Sequence, residues 1–93
     1  MDVDANSCNN FGHEDCVYAD GNIFFEATPG SIVDGSHCQE LCKIFDPECQ
    51  YWVFTSNQAS TDGSSHCILY QSFSLGSCEA VNGPQYPLRG ECV

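Results

Sequence analysis

Eight cysteines in a chain of 93 residues constrain this fold more than any other feature. At that density a short chain reads as a disulfide scaffold made in an oxidising compartment, so the protein is expected to be secreted and extracellular. A domain of this length buries only about 60–65 % of the surface that its unfolded form exposes, and cross-links compensate for the small core. Eight cysteines allow on the order of a hundred pairings, and their spacing alone does not choose among them.

Three of the cysteines lie in the stretch Asp34–Cys49, the only one with a helical period. Cys38, Leu41, Cys42 and Phe45 recur at i, i+3, i+4 and i+7, which places apolar side chains and sulfur on one helix face. Ser36 and Gln39 have the spacing of a capping box, and Pro47 cannot continue the ladder, so the spacing predicts a helix over about residues 36–46. Cys42 and Cys49 bracket its end. Cys38 should meet a strand beneath the helix, for which Cys67 is the natural candidate, and Cys8 with Cys92 would join the two ends of the domain. Cys16 and Cys78 are then left to each other.

Around this helix the chain reads as strand and loop. Residues 1–7 are polar and acidic and are expected to form a flexible tail, with a single domain over 8–93. Cys8 to Cys16, with Asn9-Asn10 and Gly12, reads as a loop. Val17-Tyr18 and Asn22–Ala27 read as extended stretches broken by Asp20-Gly21. Gln50–Ser56, aromatic and β-branched without a breaker, is the strongest strand and should be central. Asn57–Ser65 is a solvent-facing hairpin loop, Cys67–Gln71 the returning strand, and the chain from Ser72 onward is expected to be irregular.

Thirteen acidic residues against Lys43 and Arg89 give a net charge of −11, which repels nucleic acid, heparin and anionic lipid surfaces. No apolar run reaches the roughly 18 residues of a membrane span, so no membrane insertion is expected. The first residues carry neither a basic nor an apolar leader segment, so a signal peptide is expected to be absent from these 93 residues. Asp2-x-Asp4-x-Asn6 opens like a calcium loop, but Ser7 stands where the turn glycine belongs. Cys38, Cys42, Cys49 and Cys67 with His37 and His66 could furnish zinc ligands, yet one C-x₃-C without a second pair is not the usual knuckle spacing, and no metal is expected. No nucleophile elbow, unpaired cysteine or glycine-rich phosphate cradle is present, so no catalytic residue is assigned and an enzyme is not expected.

The succession Cys8, Cys16 before Gly21-Asn22-Ile23-Phe24-Phe25, Cys38-Gln39-Glu40-Leu41-Cys42, Pro47-Glu48-Cys49, Trp52-Val53-Phe54, Cys67-Ile68-Leu69-Tyr70 and Cys92 resembles the PAN/apple domain. The resemblance spans residues 8–92. It implies an α+β fold, small and disulfide-rich, in which a twisted antiparallel sheet cradles a single helix, with bridges Cys38–Cys67, Cys42–Cys49 and Cys8–Cys92. Cys78 lies outside the common family pattern. It also implies a non-catalytic module that binds a protein or carbohydrate partner.

Strand periodicity adds a candidate surface. If Cys67 and Leu69 face the helix, then Ile68 and Tyr70 face away, and since the resemblance implies that Trp52 and Phe54 occupy core positions, Tyr51 and Val53 point outward. Phe24 is expected to join them, alternating with core-facing Ile23 and Phe25. A second apolar face wants a cover: the loops of residues 72–91, a second subunit in a homo- or heterodimer, or a small hydrophobic ligand such as a lipid or carotenoid.

Overall fold

The computed structural model describes residues 8–16, 19–45, 48–60, 62–75, 78–81, 83 and 85–92. Expectations for the acidic tail with its Asp2-x-Asp4-x-Asn6 motif, for Val17-Tyr18 and for Pro47 lie outside them. Among the described residues, six strands and one helix follow the chain as β1 (Cys8–Cys16), β2 (Ala19–Glu26), α1 (Gly35–Ile44), β3 (Tyr51–Thr55), β4 (His66–Leu75), β5 (Cys78–Ala80) and β6 (Leu88–Cys92). They build a six-stranded sheet in the order β2-β4-β3-β6-β1-β5, with every neighbouring pair antiparallel. This is an α+β fold: a disulfide-rich antiparallel sheet with one helix.

The helix starts at a different cap from the one the spacing predicts. Asp34, extended at φ −145° and ψ 160°, is the N-cap, and its carboxylate accepts from the His37 backbone N–H at 2.8 Å. Asp is as good a cap as Ser, and the residue after it, the buried Gly35, packs so closely on Leu88 that a Cβ there would require the Leu88 side chain to shift. The helix starts at Gly35, and Ser36 is its second residue. The Gln39 side chain, expected to complete a capping box, instead donates to the Cys8 carbonyl at 3.5 Å and ties the helix to β1. Phe45 closes the helix as its C-cap, one residue before the expected end.

Cys38 and Cys42 are wholly buried on the predicted helix face, where they join Trp52, Phe54, Cys67, Leu69, Cys49 and Cys92 in one core, with Leu41 and Leu88 packed against it. Three bridges cross this core. Cys38–Cys67 (Cα–Cα 5.6 Å) fastens the helix to β4, Cys42–Cys49 (5.2 Å) closes the turn after the helix, and Cys8–Cys92 (4.0 Å) joins the ends across a sequence separation of 84. With these cysteines oxidised, their sulfurs are not available as the zinc ligands weighed above. Cys78 is also disulfide-bonded, and its Cα partner across the β1–β5 ladder is Cys16.

The strands at the two ends depart most from the sequence reading. Cys8–Cys16 is a strand rather than a loop: its Asn10–Gly12 segment is a bulge, with Gly12 at φ 85° and its N–H bound to the Asn10 side chain at 2.8 Å. Likewise β2 runs unbroken through Asp20-Gly21, paired with Ser74 and Phe73 of a β4 that extends to Leu75. The region from Ser72 is therefore not irregular throughout. It supplies the end of β4, β5, and β6, an interior strand between β3 and β1. β6 fits there because Gly90 lies opposite Trp52, where a Cβ would run into the indole ring and the Asn9 carbonyl.

Two outcomes follow. Gly90→Ala should destabilise the protein by about 1–3 kcal/mol, since neither a buried ring nor a strand backbone yields easily; the midpoint of denaturant unfolding measures it. Non-reducing peptide mapping should recover Cys8–Cys92, Cys38–Cys67 and Cys42–Cys49, with Cys16 joined to Cys78. Cys38 joined to any other cysteine would refute the helix placement.

Candidate functional site

The face of the sheet turned away from the helix carries most of the residues singled out above. Across β2, β4, β3, β6 and β1 the register lines up Ile23, Tyr70, Tyr51, Glu91 and Asn9 in one row. The adjacent row on that face is Glu26, Ile68, Val53, Arg89 and Gly12. Tyr51, Val53, Ile68 and Tyr70 thus share the predicted outer face.

Their exposure differs from the expectation of a bare apolar surface. Tyr51 and Val53 are only 5 % and 7 % exposed, while Ile68 and Tyr70 are half-buried. The Tyr70 ring packs edge-on to Tyr51 at 6.3 Å, and the guanidinium of Arg89, beside Val53 on β6, acts on the Tyr51 hydroxyl. Burial pushes the Tyr51 phenol pKa up, and the nearby Arg89 guanidinium opposes that shift. Much of this face is therefore covered from within the chain.

Phe24 does not belong to it. Between Asn22 and Phe25 the β2–β4 ladder carries two irregularities: Gln71 is an extra residue on β4, and Phe24 an extra residue on β2. A bulge changes which face each following side chain takes. Phe24 accordingly packs against the helix-side core, its ring 5.5 Å from Phe45, and Phe25, opposite Leu69, reaches the same Phe45 ring at 6.0 Å. Ile23, expected in the core, lies opposite Tyr70 and is 55 % exposed.

The bulges create two surfaces that strand alternation does not foresee. One is an aromatic corner where β2 meets the end of the helix: Phe25 (41 % exposed), Phe45 (37 %) and Ile44 (67 %) present apolar side chains to solvent, with Phe24 behind them. The signal for it in the sequence is the Phe24-Phe25 pair and an Ile44-Phe45 pair at a helix end. The other is an open cleft of about 440 Å³ lined by Asn22, Glu48, Gln50, Gln71 and Ser72.

The Asn57–Ser65 loop, joining β3 to β4, is organised by a single carboxylate. Asp62 accepts from the Ser60 hydroxyl at 2.6 Å and the Ser64 backbone N–H at 2.9 Å, and His66 lies 3.2 Å away. These contacts, the Ser60 hydroxyl foremost, hold the Asp62 carboxyl well below the ordinary carboxylate range, down to about 2. Ser65, buried at the loop's end, donates to the Ile32 carbonyl at 2.6 Å and anchors it to the segment before the helix. A second open cleft, of about 420 Å³, lies between that segment and the loop, lined by Gly30, Val33, Asn57, Gly63, Ser64 and Ser65.

No family model, curated protein or solved structure matches the chain. Among the described residues no cluster of three or more His, Cys, Asp or Glu is placed to hold a metal ion, and no helix is long and apolar enough to cross a membrane.

The Asp62 contacts imply a pH dependence. Since the folded carboxyl binds its proton more weakly than the unfolded value of 3.8, its contribution to loop order is present above that value and is lost as pH falls through about 2. An NMR titration of the Asp62 carboxyl should give a midpoint near 2, and Ser60→Ala should move it upward. A midpoint at the ordinary value would mean that these hydrogen bonds do not persist in solution.

Proposed function

We propose that this protein is an extracellular, non-catalytic recognition module of the PAN/apple type whose partner is a basic protein. The exposed aromatic corner of Phe25, Phe45 and Ile44 carries this reading. Aromatic side chains held on a rigid frame are the usual anchors of protein interfaces, because they bury large area at small entropic cost. The frame here is rigid at that point: Phe45 caps a helix that bridges Cys38–Cys67 and Cys42–Cys49 fasten on both sides. Several disulfides suit an oxidising, extracellular setting. Support for the PAN/apple type comes from the Cys-Gln-x-x-Cys helix, the single helix on an antiparallel sheet, and the three bridges that the resemblance implied.

The sign of the partner follows from charge. A net charge of −11, with Arg89 engaged at Tyr51, steers a cationic protein toward the surface and repels a second copy of the same chain or a polyanion. A carrier of lipid or carotenoid loses its main argument, since Tyr51 and Val53 are already covered without a ligand.

The test is a binding screen of the intact, disulfide-bonded protein against arrayed extracellular proteins, repeated with the double variant Phe25→Ser/Phe45→Ser. Genuine partners should be basic, associate more slowly as salt rises, and bind the double variant at least about tenfold more weakly. Circular dichroism should find the variant folded, because both side chains are partly exposed and Phe24 is left in place. Partners that bind wild type and variant alike would overturn the reading.

A further inference from the structure

We propose that the Cys16–Cys78 bridge is a redox-sensitive latch that holds β5 on the sheet, and that a dithiol reductant opens it without disturbing the helix or the core. Cys78 is disulfide-bonded, and no cysteine among the described residues is free. Cys8–Cys92, Cys38–Cys67 and Cys42–Cys49 take six of the eight cysteines, which leaves Cys16 as the partner of Cys78. The two Cα positions lie directly opposite each other at the end of the β1–β5 ladder.

Little besides this bridge keeps β5 in place. The strand has three residues and stands at the end of the sheet, with β1 beside it. Of its opposed pairs, Cys16↔Cys78 is the bridge itself, and Asp15↔Glu79 sets two exposed carboxylates against each other. Like charges directly opposite across antiparallel strands disfavour the pairing. That leaves Glu14↔Ala80, and so short a ladder is marginal without a cross-link. The flanking chain is held independently. Before β5, Leu75 at the end of β4 pairs with Ala19, and after it the Val81 N–H donates to the His13 carbonyl at 3.0 Å. Farther on, the Glu14 N–H donates to the Pro87 carbonyl at 3.1 Å, and Cys8–Cys92 fixes β6. Opening the bridge therefore frees β5 and stops at Val81.

Thiol–disulfide exchange needs a sulfur that a thiolate can reach. Cys38, Cys42, Cys49 and Cys67 are wholly buried and Cys92 is 1 % exposed, whereas Cys78 is half-buried at the sheet edge. Cys8 is also half-buried, but its bridge lies in a ladder of five opposed pairs between β1 and the interior strand β6, which keeps both cysteines in register and favours re-formation. At the β1–β5 end, cleavage instead lets Asp15 and Glu79 move apart. In the opening reaction one thiolate of the dithiol attacks a sulfur of the bridge and forms a mixed disulfide, and its second thiolate displaces the protein sulfur. The S–S bond of the protein breaks, one forms in the dithiol, and two electrons and two protons pass to the protein as two thiols. The aromatic corner is unaffected, because β2 stands at the opposite end of the sheet.

Differential alkylation of the native protein in low-millimolar dithiothreitol, without denaturant, tests the latch. Mass spectrometry should find Cys16 and Cys78 labelled together, at least about tenfold faster than any other cysteine. Hydrogen exchange at the Cys78, Glu79 and Ala80 amides should then quicken by about tenfold or more, while the Trp52 and Leu69 amides stay protected. The double variant Cys16→Ser/Cys78→Ser should fold, show the same fast exchange in β5, and leave that exchange unchanged on addition of the reductant. Three results would overturn the proposal: another bridge opening first or all of them together, β5 as well protected without the bridge as with it, or a double variant that unfolds. None of them bears on the Phe25/Phe45 variant, so the latch and the aromatic corner stand or fall separately.

Discussion

The Cys38–Cys67 bridge is the contact on which the remaining arrangement depends. It joins the middle of α1 to the start of β4 through a wholly buried pair of sulfurs, and thereby decides which face of β4 is core. Cys67 and Leu69 are then internal, Trp52 and Phe54 follow from the β3–β4 register, and Gly90 and Leu88 from the β3–β6 register. With so little apolar area to bury, hydrophobic packing alone would hold such a small domain weakly, whereas a cross-link restricts the unfolded chain, by roughly 2–4 kcal/mol per bridge. Cys8–Cys92 applies the same constraint to the two chain ends, whose strands have little intrinsic preference for β structure.

Both candidate surfaces descend from one irregularity. The paired bulges between β2 and β4 bring Phe24 and Phe25 to the helix side, where they meet Phe45, and on the other strand they free Gln71 from the ladder. A regular ladder would have made the apolar strand Ile23-Phe24-Phe25 alternate evenly across the sheet, leaving neither an aromatic corner nor an amide-lined cleft. Bulges at a sheet edge also interrupt the straight run of backbone groups that would otherwise invite another strand. The β2 edge thus presents side chains more than backbone, which suits recognition better than self-association.

Charge works with this geometry. Of the two basic side chains, Arg89 lies within the sheet face against Tyr51, and Lys43 sits in the last turn of the helix, where it complements the helix dipole. Neither lies in the cleft. What a partner meets is an acidic surface with an apolar corner and open, hydrogen-bonding clefts.

Local residue preferences determined the elements in which pattern and propensity agree. The helix with its Cys38–Cys42 face and the alternation of Cys67 and Leu69 with Ile68 and Tyr70 on β4 were legible, because periods of 3.6 and 2 map directly onto one side of a helix or strand; which face of β3 carries Trp52 and Phe54, and so where Tyr51 and Val53 lie, came from the resemblance. The tertiary structure decided the rest. Ser36 lost the helix cap to Asp34, whose carboxylate accepts from the His37 N–H while Gly35 packs closely on Leu88. Cys8–Cys16 and Leu88–Cys92 became strands, despite Asn9-Asn10, Gly12 and Gly90, because a terminal bridge and the fit of Gly90 against Trp52 place them in the sheet. Phe24 changed faces because a bulge is set by how two strands distant in sequence come into register, and no period within one strand encodes that. Gln50 and Gln71 carry no motif for the same reason: they become neighbours only once β3 and β4 pair, and only the folded sheet gathers them with Asn22, Glu48 and Ser72 around one cleft.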